Sequence, residues 1–356
     1  MKNARLFAML IASLAAVAMS IGGATAADKP TFRFGWIVFT PWMPWSYAQQ
    51  SGILKKWADK YDVNIELVQL NDYVESVNQY SAGGLDGVLA SIADVYSIPV
   101  ANGVDTTIFP IDYSNGADAI VLKGKDKLAD IKGQTAHLVE YSVSHYLLDR
   151  ALETANIPFD DIKRINIGDA DFVAAYKAPE LSALVAWQPQ IDQIKQSGDA
   201  HIVFDSSNIP GEVFESIIIR TSKLKENPNY AKALLGAWYE VAAIINNKAD
   251  PKRPEVIKAL AEASATDPAT YEQQLTSVGL FSNGADALAF ADRAQTKETL
   301  VRVRDFAHRY QLLGKDVKEA DSIGIQLPTG EVVGSKDNVL LRFDRDLIAQ
   351  AAAGKL

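Results

Sequence analysis

The sequence predicts an α/β fold made of two successive βα series and a helical C-terminal third. Short apolar runs alternate with stretches whose apolar residues recur near every 3.6 positions. That alternation restarts near Asp118, and from Pro228 onward only the helical period remains. A chain of 356 residues, 48% hydrophobic and 22% charged, can bury a core of that size and is not a disordered polymer.

The elements follow in order. Lys2 and Arg5, the apolar run Leu6 to Ile21 and the small residues Gly22 to Ala27 read as a secretory signal peptide over residues 1–27, cleaved after Ala26 or Ala27. Strands are expected at Phe32 to Val38, Val63 to Leu70, Gly87 to Ala90 and Thr106 to Ile111. Between them stand helices at Trp45 to Tyr61, Val74 to Ser81 and Ala93 to Asn102. The second series has strands at Ala119 to Leu122, His137 to Val139, Lys163 to Asn166, Ala183 to Ala186 and His201 to Phe204. Its helices are Lys127 to Ile131, Ser142 to Ala155, Asp171 to Tyr176 and Pro189 to Gln196, and Phe214 to Arg220 is a strand leading out. Helices then run Tyr230 to Asn246, Arg253 to Ala263, Pro268 to Leu275 and Ala285 to Tyr310, before a hairpin-like tail over Ile323 to Phe343. The C-terminal third carries no functional signal and is expected to brace the first lobe.

Charge and composition exclude several partners. The net charge is −9, or −11 once Lys2 and Arg5 are removed, and no basic run or basic helix follows, so nucleic acid is not an expected partner. The absence of cysteine excludes disulfides, thiolate metal sites and cysteine nucleophiles. No metal spacing surrounds His137, His145, His201 or His308, so no metal and no cofactor are expected. Glu140, Ser142 and His145 could be drawn as a triad, but no nucleophile-elbow glycines accompany them, and no catalytic residue is assigned.

Open parallel sheets bind ligands in the loops that leave the carboxyl ends of their strands. Here these loops are Phe39 to Tyr47, Ala90 to Asp94, Asp112 to Asp118, Glu140 to His145, Trp187 to Asp192 and Asp205 to Ser216. They hold aromatic and acidic residues and no Lys or Arg. Trp42 and Trp45, stiffened by Pro41 and Pro44, and Trp187 offer flat faces suited to a planar or cationic ligand. Ser91 and Ser142 stand where helix caps are expected, Ser91 with Asp94 at capping-box spacing, and both also qualify as ligand contacts. Of the acids Asp112, Asp118, Glu140, Glu212 and Glu215, the favoured ligands are Asp112 and Glu140, each ending an apolar strand, with Glu212 third. An unpaired buried carboxylate is costly, and a cationic ligand can be its partner.

The pattern over Phe32 to Trp238 resembles the periplasmic substrate-binding proteins of ABC importers, in the nitrate/sulfonate/taurine-type family. Gly52-Ile53-Leu54-Lys55-Lys56, Leu85-Asp86-Gly87-Val88 and Leu128-Ala129-Asp130-Ile131-Lys132-Gly133 carry the likeness. Asp112-Tyr113-Ser114-Asn115-Gly116, Val139 to His145 and Phe204 to Glu212 are similar to the branch associated with urea carboxylase and with urea or guanidine uptake, and through it Ser114 joins the site. The resemblance implies a type II bilobed fold: residues 28–118 with 222–356 as one lobe and 119–221 as the other, the chain crossing near Ala117 to Ala119 and Arg220 to Ser222. It also implies a monomer in the periplasm working with a permease and an ATPase of the inner membrane, and no enzymatic activity. Base-free acidic loops favour guanidinium within that family. Urea, an anion or a pyrimidine-like ligand, and an enzyme or sensor on the same fold, remain as alternatives.

Overall fold

A computed structural model describes residues 29–314 and 316–356, so the expected signal segment lies outside the described residues. Fourteen strands form two sheets. They are β1 (Thr31–Ile37), β2 (Asn64–Leu70), β3 (Gly87–Ser91), β4 (Thr106–Ser114), β5 (Asp118–Lys123), β6 (Thr135–Leu138) and β7 (Lys163–Asn166). The rest are β8 (Ala183–Trp187), β9 (Ala200–Asp205), β10 (Phe214–Arg220), β11 (Val278–Leu280), β12 (Gly324–Gln326), β13 (Val332–Val333) and β14 (Val339–Phe343). The larger sheet runs β13-β12-β14-β4-β10-β3-β1-β2, with β11 also on β4; the smaller runs β7-β6-β8-β5-β9.

β1, β2 and β3 are parallel, and β10 inserts antiparallel between β3 and β4. The carboxyl ends of β1, β3 and β4 therefore share an edge with the start of β10. The central strands β3 and β8 are buried throughout, which is why they read as continuous apolar runs rather than alternating ones.

Several expectations change. Phe214–Arg220, placed by sequence with the second lobe, pairs with β3 and β4 in the larger sheet, so the return crossing lies between β9 and β10 and not at Arg220 to Ser222. The chain leaves the larger sheet between β4, which ends at Ser114, and β5, which begins at Asp118. The helix over Trp45 to Tyr61 is two helices, Pro44–Gln50 and Ile53–Lys60, separated where Gly52 takes a φ of 77°. Likewise Ala285 to Tyr310 divides into Gly284–Ala291 and Ala294–Arg309. The tail is more than a hairpin: β14 pairs parallel with β12 and β4, extending the larger sheet, and a last helix, Arg345–Ala352, follows.

The helix Pro228–Asn246 packs behind the tryptophan loop, its Trp238 ring 5.9 Å from that of Trp45. Both rings are almost fully buried, and side chains of this size contribute about 1.5–3 kcal/mol or more each when removed from water. No helix among the described residues is long and apolar enough to cross a membrane.

Candidate functional site

Between the two sheets lies a cavity of about 20 Å³ lined by the buried residues Ile37, Phe39, Trp42, Tyr73, Ser91, Asp118, Val143, Trp187 and Glu215. One water needs roughly 10–15 Å³, so this space matches a ligand of few heavy atoms. Trp42 is presented by a 3₁₀ turn over Thr40–Trp42, whose closing bond runs from Trp42 N to Phe39 O at 2.8 Å. Three residues on, Trp45 faces the opposite way, against Phe34 at 4.9 Å and Trp238, and lies in the core instead of the cavity. Trp187 ends β8, and Tyr73 opens the helix Tyr73–Ala82 between the two indoles, 5.7 Å from each by ring centroid.

Ser91 ends β3, and its hydroxyl caps nothing, contrary to the capping-box expectation. Its amide donates to the Tyr73 hydroxyl at 3.0 Å, while its Oγ is buried without a protein partner. The indole N–H groups of Trp42 and Trp187 are likewise buried and unpartnered. These are donors and acceptors held ready in a place where an unmade hydrogen bond costs about 1–3 kcal/mol.

Four carboxylates gather here. Glu215 and Asp118 line the cavity, Asp112 stands behind Glu215 as its register partner across the β10–β4 pair, and Asp94 lies in the turn after β3. All four are at most 3% exposed. Asp94 Oδ2 accepts from Val143 N at 3.2 Å, a bond that spans the two sheets' loops, and the Tyr73 hydroxyl lies beside this carboxyl. Both Asp112 oxygens, Glu215 Oε2, Asp118 Oδ2 and Asp94 Oδ1 lack a conventional donor. Burial raises Asp94 to about 7, and burial first, then neighbouring acids, pushes Glu215 far above the usual carboxylate range and Asp118 above it. Asp112 is raised by burial and lowered in part by its contact with the Glu215 carboxyl. No Lys or Arg among the described residues figures among the groups that shift these four.

The remaining expected contacts stand elsewhere. Glu212 is held by Arg150, Nε to Oε2 at 2.7 Å and Nη2 to Oε1 at 3.0 Å, and by the Tyr146 hydroxyl at 2.6 Å. Burial would raise it, yet these partners hold it below the usual range. Glu140 lies half-buried beside Arg164, 3.9 Å from Nε, on a separate surface cleft with Tyr141 and Tyr310. Ser142 is a helix cap: its Oγ accepts from Ser144 N at 3.1 Å and donates to Val139 O at 2.7 Å. Ser114 braces the crossing, bonding Ser206 Oγ at 2.7 Å and accepting from Asp118 N at 3.2 Å.

The cavity thus contains Trp42, Ser91 and Trp187 from the expected set, with Asp112 directly behind, and not Trp45, Ser114, Glu140, Ser142 or Glu212. Tyr73 and Asp94 were not singled out from sequence as ligand residues, and Asp118 and Glu215 ranked below Asp112 and Glu140. Tyr73 and Asp94 each follow a strand of the larger sheet by three residues, Glu215 is the second residue of β10, and Asp118 opens β5 of the smaller sheet, so each lies near a strand end. His145 is packed among Phe159, Phe306 and Tyr310, and burial, aided by Arg164, depresses it to about 3, so it stays neutral and away from the cavity. Among the described residues no group of three or more His, Asp or Glu side chains is arranged to hold a metal ion.

Two α/β sheets joined by two crossings, with a buried pocket at their facing edges, are the periplasmic-binding-protein fold, and solved structures agree. The alkanesulfonate-binding protein of Xanthomonas axonopodis pv. citri bound to MOPS aligns with a TM-score of 0.67 at 19% identity, covering 82% of this chain and 96% of that one. The periplasmic aliphatic sulphonate binding protein of Escherichia coli gives 0.67 at 17%, covering 90% and 99%. The chain belongs to the NMT1-like family, whose sequence profile matches residues 25–261. It is 20% identical over 224 residues to the taurine-binding periplasmic protein of Escherichia coli (strain K12), covering 62% of this chain and 67% of that one. A protein named as a binding protein in Brucella abortus (strain 2308) is 29% identical over 124 residues, 34% of this chain; the match spans 39% of the length of that relative.

Proposed function

We propose that this chain is the periplasmic substrate-binding subunit of an ABC importer and that its ligand is guanidinium. It would act as a monomer, without catalysis, delivering its ligand to a permease and ATPase in the inner membrane, with the sheets β1–β4 with β10–β14 and β5–β9 as the two lobes. The fold, the family and the taurine-binding relative support the importer role. One observation carries the ligand: Asp118 and Glu215 line an aromatic cavity with Asp112 and Asp94 buried close by, and no Lys or Arg among the described residues is among the groups that shift these four. Sulfonate or nitrate there would bring a negative charge to acids already disfavoured by burial.

Guanidinium is planar and cationic, with N–H donors in its plane for Asp118 and Glu215 and a π-face for Trp42 or Trp187. The small cavity favours it over ligands with an aliphatic chain. Urea is the second reading, because Ser91 Oγ, the indole N–H groups and protonated carboxyls could donate to a carbonyl oxygen. Calorimetry of the purified protein with guanidinium, urea, nitrate and taurine separates these. The expected order places guanidinium tightest; tighter binding of either anion overturns the cation reading, and tighter binding of urea replaces the ligand.

A further inference from the structure

We infer that the Asp112–Glu215 pair is a proton store, and that the site takes up its cation in exchange for a proton released to solvent; this rests on the cation reading above. The geometry is a row across three strands. Ser91 on β3, Glu215 on β10 and Asp112 on β4 are register partners, so their side chains stand on the same face of the sheet. Only Glu215 and Ser91 of the three reach the cavity.

Both oxygens of Asp112 and Oε2 of Glu215 are buried with no donor from any other described residue. Two carboxyls in contact and out of water satisfy each other only if one carries a proton and donates it to the other, because two adjacent anions repel. The neighbours reinforce this. From the start of β5 comes Asp118, from the turn after β3 comes Asp94, and the Tyr73 hydroxyl also feels the Glu215 charge; all are acids or neutral. No Lys, Arg or His among the described residues is among the groups acting on Glu215 or Asp112.

An entering cation supplies the positive charge that the proton supplied. The O–H bond between the pair breaks, the proton leaves for solvent while the site is open, and both oxygens of Glu215 become acceptors for the ligand's N–H groups. Asp112 never touches the ligand. Its part is to make the empty site electrically tolerable, and so it is a positioning residue for charge.

The test has two arms. Infrared spectroscopy of the ligand-free protein should show a protonated buried carboxyl band at pH 7 that diminishes in Asp112→Asn; a wild-type protein with no such band overturns the store, whatever the ligand. Calorimetry with guanidinium chloride in two buffers of different ionisation enthalpy should give about one proton released per cation, with affinity rising up to about tenfold per pH unit through the pair's titration and flat above it. In Asp112→Asn the release should fall below about half while binding persists. Binding without release, or release unchanged in that variant, overturns the exchange with the ligand assignment intact. A carboxyl band with no guanidinium binding at any pH overturns it through the ligand assignment instead. The pH titration of the wild-type band keeps the first arm independent of how the variant folds.

Discussion

Glu212 and Glu215 stand three residues apart, and their surroundings are opposite. Glu212 is clasped by Arg150 and Tyr146, so burial leaves it ionised and satisfied. Glu215 faces Asp112, Asp94 and Asp118, and no Lys or Arg among the described residues is among the groups acting on it. A buried acid that brings its own arginine is part of the scaffold; on the proposed reading, one left among other acids is where an outside charge would be taken up. Glu140, beside Arg164, falls with Glu212.

The largest effect expected from this contrast is at Glu215. Glu215→Gln removes an acceptor for a buried charge, which is worth about 2–5 kcal/mol, so guanidinium affinity by calorimetry should drop at least about 30-fold. Its melting temperature should not fall, since an uncompensated acid is lost. Arg150→Ala should do the reverse: it strands Glu212 and costs about 3 kcal/mol in denaturant unfolding. A variant equally destabilised at Glu215 would break the distinction.

Next come the rings. Replacing Trp187 or Trp42 by Leu should weaken guanidinium about 2- to 30-fold, from the roughly 0.5–2 kcal/mol of a cation–π contact. Trp45→Leu should lower stability with affinity nearly unchanged. At the small end, Glu140→Gln should leave affinity within about twofold, and a tenfold loss would put Glu140 back in the site.

Stability should follow pH in the same sense. Asp94 folds with its value raised to about 7, so its contribution is complete below the unfolded value near 4 and is lost as pH rises through 7. His145 is depressed to about 3, so its contribution is complete above about 6.5 and lost on acidification. Between pH 6.5 and 8 only the acids act. The ligand-free melting temperature should therefore fall across that window, and millimolar guanidinium should flatten the fall; a flat ligand-free profile would count against uncompensated acids.

Much of the fold was legible because alternation and helical period are local properties. β7 and β10 lie where the pattern put them. What was not legible is tertiary. Nothing near Glu212 in sequence announces Arg150, 62 residues away, so a paired acid and a free one look alike. Trp42 and Trp45 are equivalent by type and loop, and contacts with Phe34 on β1 and Trp238 on a distant helix decide that Trp45 is core. Tyr73 falls just before the expected helix Val74 to Ser81, and Asp94 reads as a partner for the Ser91 cap, so local chemistry gives neither a reason to be referred to the opposite sheet.

The Ser206 hydroxyl, bonded to Ser114 Oγ and accepting from Gly116 N at 2.7 Å, stitches the two crossing segments together. Under the importer reading, two linkers fastened side by side would serve as the pin about which the two halves close. Asp118, tied to Ser114 through its amide, sits next to that pin. Asp118 and Trp187 are register partners in the smaller sheet, so in such a hinge the two would stay together, and Trp42 would be the ring brought to them.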